Sequence, residues 1–372
     1  MRGVAYACFA ATVAFLLCVL AASPLLPQGP LDELIEGEED MPRPPGDRPR
    51  PELPPRPAEL DEPGVLLGEG FLAKRSLVQD ESLGWITDIR AGELDPAPGP
   101  EIGIAGKRGA LFLDDGGAVK AKVPFMARAG HVDIIDVEGD GVCEFMNRGG
   151  SDGVASLIPH SGRITWIYGG EPGGVMDMAA GDVDGDGRPE FAVGFGGGSG
   201  VHLLDADGAR LWTRLDGNVW QVGMVDVEGR GHPQILHSNA RGRLLVRDAK
   251  GDLAIQSDPD VYVGSFSLST WPVHGDRPLV ITAGEKTLWL LTPGGATVAT
   301  LEAPHCLHWA RVWAAPAVLR PDEPSYLAVV ATFALWQRSL LYVYEPGGGL
   351  VYQETLEGVC QAVAAHRFPG DE

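Results

Sequence analysis

Short apolar runs separated by glycine-, proline- and aspartate-rich turns recur from about residue 65 to the end of the chain. One marker of this pattern is a proline followed by a strand-like run, as in PEIGI at 100–104 and PEFAV at 189–193. With Cys143 in one place, the marker recurs 43, 46, 44, 45, 46 and 45 residues apart, at Pro100, Cys143, Pro189, Pro233, Pro278, Pro324 and Pro369. The chain is therefore a repeat of about 45 residues.

A second marker, in phase with the first, is an apolar run followed by a turn that contains Asp or Gly. Examples are LFLDDGG at 111–117 and LLDADG at 203–208. Glycine and aspartate accept the positive φ that tight hairpin turns need, so these are hairpin signatures. A period near 45 with four short strands per unit predicts an all-β protein, a β-propeller of four-stranded blades.

Six units begin near residues 86, 131, 175, 219, 266 and 309, and a seventh begins near 359 but runs out at Glu372. The run VLLGEGFL at 65–72 has the pattern of the outer hairpin that the seventh unit lacks. We therefore prefer seven blades, with the ring closed by pairing N- and C-terminal strands, which removes exposed sheet edges. Six blades is the alternative.

The first 64 residues differ from this body. Residues 3–22 are almost wholly apolar after Arg2, which indicates a signal peptide or a retained signal anchor within 1–30. Residues 31–64 mix acidic runs with proline and have no apolar period, so we expect a disordered linker. The propeller then spans 65–372, in a secreted or envelope-anchored, extracytoplasmic protein whose only membrane contact is through the N-terminal segment.

The net charge and the cysteine count limit the classes of partner and of covalent cross-link that we expect. The net charge of −22 excludes a nucleic-acid partner, because such binding needs clustered cations. The five cysteines form no disulfide framework. Cys306 and Cys360 stand at similar places in neighbouring units, and whether they pair is open.

Within the third unit, carboxylates recur at loop positions 1, 3, 5 and 9. They are Asp182, Asp184, Asp186 and Glu190, and the Arg188 carbonyl at position 7 adds a further oxygen. Alternating carboxylates and glycines let a short loop surround one hard cation, Ca2+. An EF-hand is excluded, since position 12 is Val193 rather than Glu and a glycine-rich run follows it.

The segment DVDGDGRPEFAVGFG at 182–196 resembles the FG-GAP or VCBS repeats of integrin α-subunit heads and bacterial surface proteins. The resemblance implies a calcium-binding propeller, with ligands from the same five residues. The second unit keeps an acid at each carboxylate position, in the set Asp136, Glu138, Asp140, Val142 (carbonyl) and Glu144. The fourth unit has lost two acids and gained Arg230, so we expect no metal there.

The calcium loops join first and second strands, so we expect them on one face of the disc, where the ions act as structural staples. The opposite face carries the loops between blades, with aromatic and basic side chains at Arg128, His131, Trp220, Tyr262, His305, His308 and Trp309. Such groups around a central depression suit a protein or carbohydrate ligand, although packing at blade junctions would also explain the aromatics.

Three functions stay open. The first is a non-enzymatic binding or scaffold module stabilised by calcium, favoured because no nucleophile elbow, HExxH pair or P-loop occurs. The second is a lyase-like enzyme acting on polysaccharide, with its base and cation among Arg128, His131, His305 and His308. The third is an architectural subunit of an envelope complex.

Overall fold

The computed structural model describes residues 81–366, apart from 96–98, 115, 127–128, 150–152, 258–261, 276 and 319–323. It also describes the backbone of three N-terminal strands, β1 (Val4–Ala10), β2 (Leu20–Ala22) and β3 (Leu72–Gln79). These three form an antiparallel sheet in the order β2-β1-β3. The predicted linker at 31–64 lies outside the described residues. No helix in the described part of the chain is long and apolar enough to cross a membrane.

The body is a ring of six four-stranded antiparallel sheets, each built from consecutive strands. Blade 1 comprises β4 (Ile86–Gly92), β5 (Glu101–Gly106), β6 (Gly109–Leu113) and β7 (Val119–Pro124). Blade 2 comprises β8 (His131–Ile135), β9 (Glu144–Gly149), β10 (Val154–Ile158) and β11 (Trp166–Tyr168). Blade 3 comprises β12 (Val175–Gly181), β13 (Glu190–Phe195), β14 (Val201–Leu204) and β15 (Arg210–Arg214).

The second half of the ring repeats the same order. Blade 4 comprises β16 (Val222–Val225), β17 (Gln234–Ser238), β18 (Leu244–Arg247) and β19 (Leu253–Gln256). Blade 5 comprises β20 (Phe266–Thr270), β21 (Pro278–Ala283), β22 (Thr287–Leu291) and β23 (Thr297–Glu302). Blade 6 comprises β24 (Arg311–Ala317), β25 (Tyr326–Phe333), β26 (Arg338–Tyr344) and β27 (Leu350–Glu357). Three short 3-10 turns lie at Glu81–Leu83, Pro272–His274 and Ala334–Trp336.

The structure differs from the preferred prediction in the number of blades. Six blades, the alternative, is the number of complete four-stranded sheets, and seven was wrong. The described N-terminal strand β3 pairs with β1, and residues 359–366 form no strand, so the predicted pairing of terminal strands is not among the described pairs. Instead, residues 359–366 run between blades 6 and 1. Cys360 and Val363 pack against blade 6, while Ala362 and Ala364 pack against Ile89 of blade 1.

The hydrophobic core lies between neighbouring blades. Middle strands such as β13 are buried along their whole length, because both faces of the sheet are covered by adjacent blades. At the junction of blades 2 and 3, the ring of Trp166 meets Phe191 edge-on, with centroids 4.9 Å apart. Outer strands such as β7 are mostly exposed. This pattern explains why the apolar runs of the sequence are continuous in the middle of each unit and alternate at its end.

Polar side chains on the first strands line the central channel and join each blade to the next. Asp88 Oδ2 accepts the backbone N–H of Ile134 at 2.8 Å, and Asp177 Oδ2 accepts that of Val222 at 2.9 Å. Ser267 Oγ likewise accepts a backbone N–H from blade 6, at 3.0 Å. Buried polar groups are retained only when they are hydrogen-bonded, and here that requirement also fixes the spacing of the blades.

Candidate functional site

The loop at 182–189 joins the first and second strands of blade 3, as predicted. Carboxylate oxygens of Asp182, Asp184 and Glu190 all lie within 4.8 Å of one another. The fourth predicted carboxylate, Asp186, is not in this group, and its Oδ1 accepts the N–H of Arg188 at 2.7 Å. Three converging carboxylates are the donor set that a hard divalent cation prefers, so the residues fit the ion that the resemblance implies.

The loop of the second blade has the same backbone arrangement. Asp136 accepts the N–H groups of Gly139 and Gly141 at 2.7 and 2.9 Å, and Val142 donates its N–H to Asp140 at 2.8 Å. Among the described residues, however, the converging group of three carboxylates is found only in blade 3. Glu138 is exposed.

The first residue of the second strand has the same role in four blades. Glu101, Glu144, Glu190 and Gln234 each accept, at 2.9–3.0 Å, the N–H of the residue seven positions earlier. In blade 1, Lys120 Nζ contacts the Glu101 carboxylate, and in blade 4 the side chain is a neutral amide. Neither Glu144 nor Glu190 has a basic partner among the described residues. Burial raises the pKa of Glu144 to about 7 and also raises the pKa of Glu190. Blades 2 and 3 therefore bury a carboxyl group that no described basic side chain contacts.

The opposite face, which carries the loops between blades, contains a cavity of about 540 Å³ at the mouth of the central channel. Four of the seven side chains predicted for this face line it, namely Trp220, Tyr262, His308 and Trp309. They precede the first strands of blades 4, 5 and 6. The wall on the side of blades 2 and 3 is polar. The volume is within the range of small-molecule sites.

The aromatic walls are held by packing. Trp309 is 39% exposed, and its ring meets Phe333 and Trp336 edge-on, with centroids 5.3 and 4.9 Å apart. Tyr262 is 59% exposed and lies against Gly242, where an added Cβ would be 2.2 Å from the tyrosine ring. Gly242 also has a φ of +70°, so glycine is required there on both counts. The rings are therefore exposed on one side and fixed on the other.

An ion-pair cluster forms the polar floor of the cavity. Arg148 Nε lies 2.8 Å from Asp133 Oδ2 and 3.0 Å from Asp177 Oδ1, so it joins blade 2 to blade 3. The Arg148 guanidinium holds the pKa of Asp133 well below its usual range, against the effect of burial. Burial raises the pKa of Asp177 despite the same neighbour.

Arg311, at the start of β24, also lines the cavity, and its side chain is open to it. No hydrogen bond or ion pair of Arg311 is found among the described residues. Desolvation and the nearby Arg148 charge lower the pKa of Arg311, which as an arginine still stays protonated. No described residue engages the five N–H donors of this guanidinium in the cavity.

The other predicted residues lie elsewhere. Arg128 is outside the described residues. His131 sits in the channel, with Nδ1 3.1 Å from Gln361 Oε1 and Nε2 3.3 Å from Asp133 Oδ1. His305 has a φ of +66° and does not line the cavity. Cys306 and Cys360 are free and buried, and burial raises the pKa of each thiol to about 12.

The sequence reasoning missed Arg148, Asp177 and Arg311. A signal for the ring of polar residues was present: Asp88, Asp133, Asp177 and Gln221 follow one another at intervals of 45, 44 and 44 residues. A polar residue at one fixed place in the first four units points to the channel. The arginines have no such period.

No protein-family model matches the chain, and no curated protein matches it. Solved structures share the fold at low identity. BBS1N in complex with ARL6DN, soaked with mercury, is 13% identical, with a TM-score of 0.50 over 81% of this chain and 88% of that chain. BamB from Moraxella catarrhalis is 17% identical, with a TM-score of 0.44 over 81% and 85%. The lead-soaked BBS1N–ARL6DN crystal is 13% identical, with a TM-score of 0.48 over 74% and 82%. Such identities concern the β-propeller fold alone.

Proposed function

We propose that this chain is an extracytoplasmic, calcium-stabilised propeller of the FG-GAP/VCBS type that acts as a binding or scaffold module for a carbohydrate or protein ligand. The observation that carries the proposal is the convergence of Trp220, Tyr262 and Trp309, each 39–59% exposed, on one cavity at the channel mouth. Aromatic side chains that are fixed yet exposed are the usual anchors of binding sites. Packing at blade junctions explains the buried part of Trp309, but it does not explain why the three aromatic rings are exposed to the cavity.

Calcium has a stabilising role in this proposal, on the face opposite the cavity. Asp182, Asp184 and Glu190 would hold the ion in blade 3, with Asp186 and the Arg188 carbonyl as further ligands. It would supply the positive charge that Lys120 supplies in blade 1. Asp136, Glu138, Asp140, the Val142 carbonyl and Glu144 are the corresponding set in blade 2. The apolar N-terminal segment at 3–22 supports export and a secreted or envelope-anchored location.

The second candidate, a polysaccharide lyase, is favoured by one observation: His308 and Arg311 line the same cavity, which places a base beside a cation. New ultraviolet-absorbing double bonds in an acidic polysaccharide, lost on His308→Ala, would replace the binding-only proposal with this one. The third, an architectural subunit, predicts co-purification with a membrane complex and no small ligand.

Isothermal titration with acidic oligosaccharides, neutral oligosaccharides and peptides tests the binding proposal. We expect Trp309→Ala and Tyr262→Ala each to weaken binding of the recognised ligand at least tenfold, as for anchor residues at an interface centre. Trp289→Ala is the matched control, since Trp289 is 37% exposed but does not line the cavity. Equal affinity in the wild type and both wall variants would show that the cavity is not the site.

A further inference from the structure

We propose that the cavity takes an acidic sugar unit, a hexuronate of a polysaccharide, and that Arg311 receives its carboxylate. This inference rests on the proposed function, because it specifies the ligand of the same cavity. It follows from three properties of the lining: an arginine without a partner among the described residues, an excess of hydrogen-bond donors over free acceptors, and exposed aromatic rings.

The first property is charge. The lining includes two arginines and one aspartate, Arg148, Arg311 and Asp177, in a chain of net charge −22. Arg148 is shared between Asp133 at 2.8 Å and Asp177 at 3.0 Å, so this cluster has no positive charge to spare for a ligand. The remaining positive charge belongs to Arg311. A planar guanidinium with free N–H groups matches the geometry of a carboxylate and can bind it in a bidentate manner.

The second property is the donor balance. No hydrogen bond is described for the indole N–H groups of Trp220, Trp309 and Trp313, and Arg311 adds five more donors. Two of the lining acceptors are already engaged. Asp177 receives Arg148 and a backbone N–H, and Gln221 Oε1 accepts the N–H of Phe266 at 2.8 Å. The ligand should therefore be rich in acceptors.

This balance favours a sugar acid over an acidic peptide. A peptide brings a backbone N–H at nearly every residue, and each would need an acceptor, whereas the cavity offers mainly donors. A hexuronate brings a carboxylate, ring and glycosidic oxygens, and hydroxyl groups that can accept. Its flat C–H face suits the exposed rings of Trp220, Tyr262 and Trp309. A single ring also fits comfortably in about 540 Å³.

The test is a calorimetric titration with oligogalacturonate, oligoglucuronate and oligomannuronate, each also as its methyl ester. We expect the wild type to bind at least one acid form about ten- to a hundred-fold more tightly than its ester, the value of a charge-assisted hydrogen-bond pair. Arg311→Gln should remove this preference and leave ester binding unchanged, and Arg311→Lys should keep part of it. Arg163→Gln is the control, an exposed arginine that does not line the cavity.

Because Arg311 has no described partner, we expect Arg311→Gln to melt within a few degrees of the wild type, so loss of binding will not reflect unfolding. An unchanged acid preference in Arg311→Gln overturns the inference, as does failure of every uronide to bind. If an ester or a neutral sugar binds best and Trp309→Ala abolishes that binding, the proposed function stands while this inference fails. If an acidic peptide binds through Arg311 and no uronide does, the sugar assignment is wrong.

Discussion

Replacing Arg148 with methionine tests the ion-pair cluster that joins blades 2 and 3. The Arg148 side chain is 16% exposed, and its partners Asp133 and Asp177 are 18% and 8% exposed. Methionine keeps the length of the side chain but removes the charge. Among the described residues, neither carboxylate then has a cation within 4 Å, except that His131 lies 3.3 Å from Asp133 and is charged only when protonated.

The expected cost follows from that burial. Removing one partner of a buried ion pair costs about 3–5 kcal/mol, because the remaining charge has lost its solvent and its partner. For a domain of this size, about 2–4 °C of melting temperature corresponds to each kcal/mol, so Arg148→Met should melt about 6–20 °C lower. Asp133→Asn added to Arg148→Met should recover part of this loss, since it removes one of the uncompensated charges.

The pH dependence gives a second readout with a defined sign. In the wild type the pKa of Asp133 is depressed in the folded state, so its contribution is fully present above the unfolded pKa of about 3.9 and is lost progressively as pH falls from there through the folded pKa. In Arg148→Met, burial without the guanidinium raises the pKa of both carboxylates above the unfolded value. The folded variant then binds protons more readily than the unfolded chain, so its stability should increase from pH 7 to pH 5.

Urea unfolding followed by tryptophan fluorescence at pH 7 and pH 5 measures both effects. The reasoning is refuted if Arg148→Met loses less than about 1 kcal/mol at pH 7 and shows the pH dependence of the wild type. A conservative control, Arg148→Lys, keeps the charge but loses the second contact, and should fall between the two.

Three further outcomes are expected. Lys120→Met removes the cation that contacts the buried Glu101 carboxylate, so it should lower the urea midpoint of unfolding. A neutral result would show that the pair is not stabilising. Chelation should lower the melting temperature of the wild type, because calcium at a hundredfold excess over Kd adds about 2.7 kcal/mol to the free energy of unfolding. Asp184→Ala should reduce this response to chelation, and Asp226→Ala should not. A wild-type melting temperature that EDTA leaves unchanged would contradict a bound metal. Gly242→Ala places a methyl group against the Tyr262 ring, whereas the methyl group of Gly229→Ala, at φ +67°, meets nothing within 4 Å. In calorimetric titrations only Gly242→Ala should therefore weaken ligand binding. Equal affinities of the two variants would disprove this packing role of Gly242.

Much of the fold could be predicted from the sequence, because each unit buries its middle strands on both faces and ends with a turn. The count of blades could not. Residues 359–366 alternate between two packed neighbours, Cys360 towards blade 6 and Ala362 towards blade 1. In the sequence, this alternation cannot be distinguished from the pattern of the first strand of a seventh blade. Only the three-dimensional ring shows that this segment lies between complete blades.

Of the cavity lining, the aromatic residues could be predicted from the sequence and the arginines could not. Trp220, Tyr262 and Trp309 could be placed on one face because the period fixes which loops join blades. Arg148 and Arg311 could not, since each lies at the end or start of a strand, where a charged residue is typical of a solvent boundary. Their convergence depends on the curvature of the ring, which brings blades 2 and 6 to the same channel mouth.

The central claim is that the ligand binds at the channel mouth on the face between blades. The most direct measurement is a crystal structure of the full propeller grown with the tightest-binding oligouronide. The account predicts electron density for a sugar ring between Trp309 and Tyr262, with its carboxylate on Arg311. Density on the calcium-loop face, or on an outer strand with this cavity filled only by water, would contradict it.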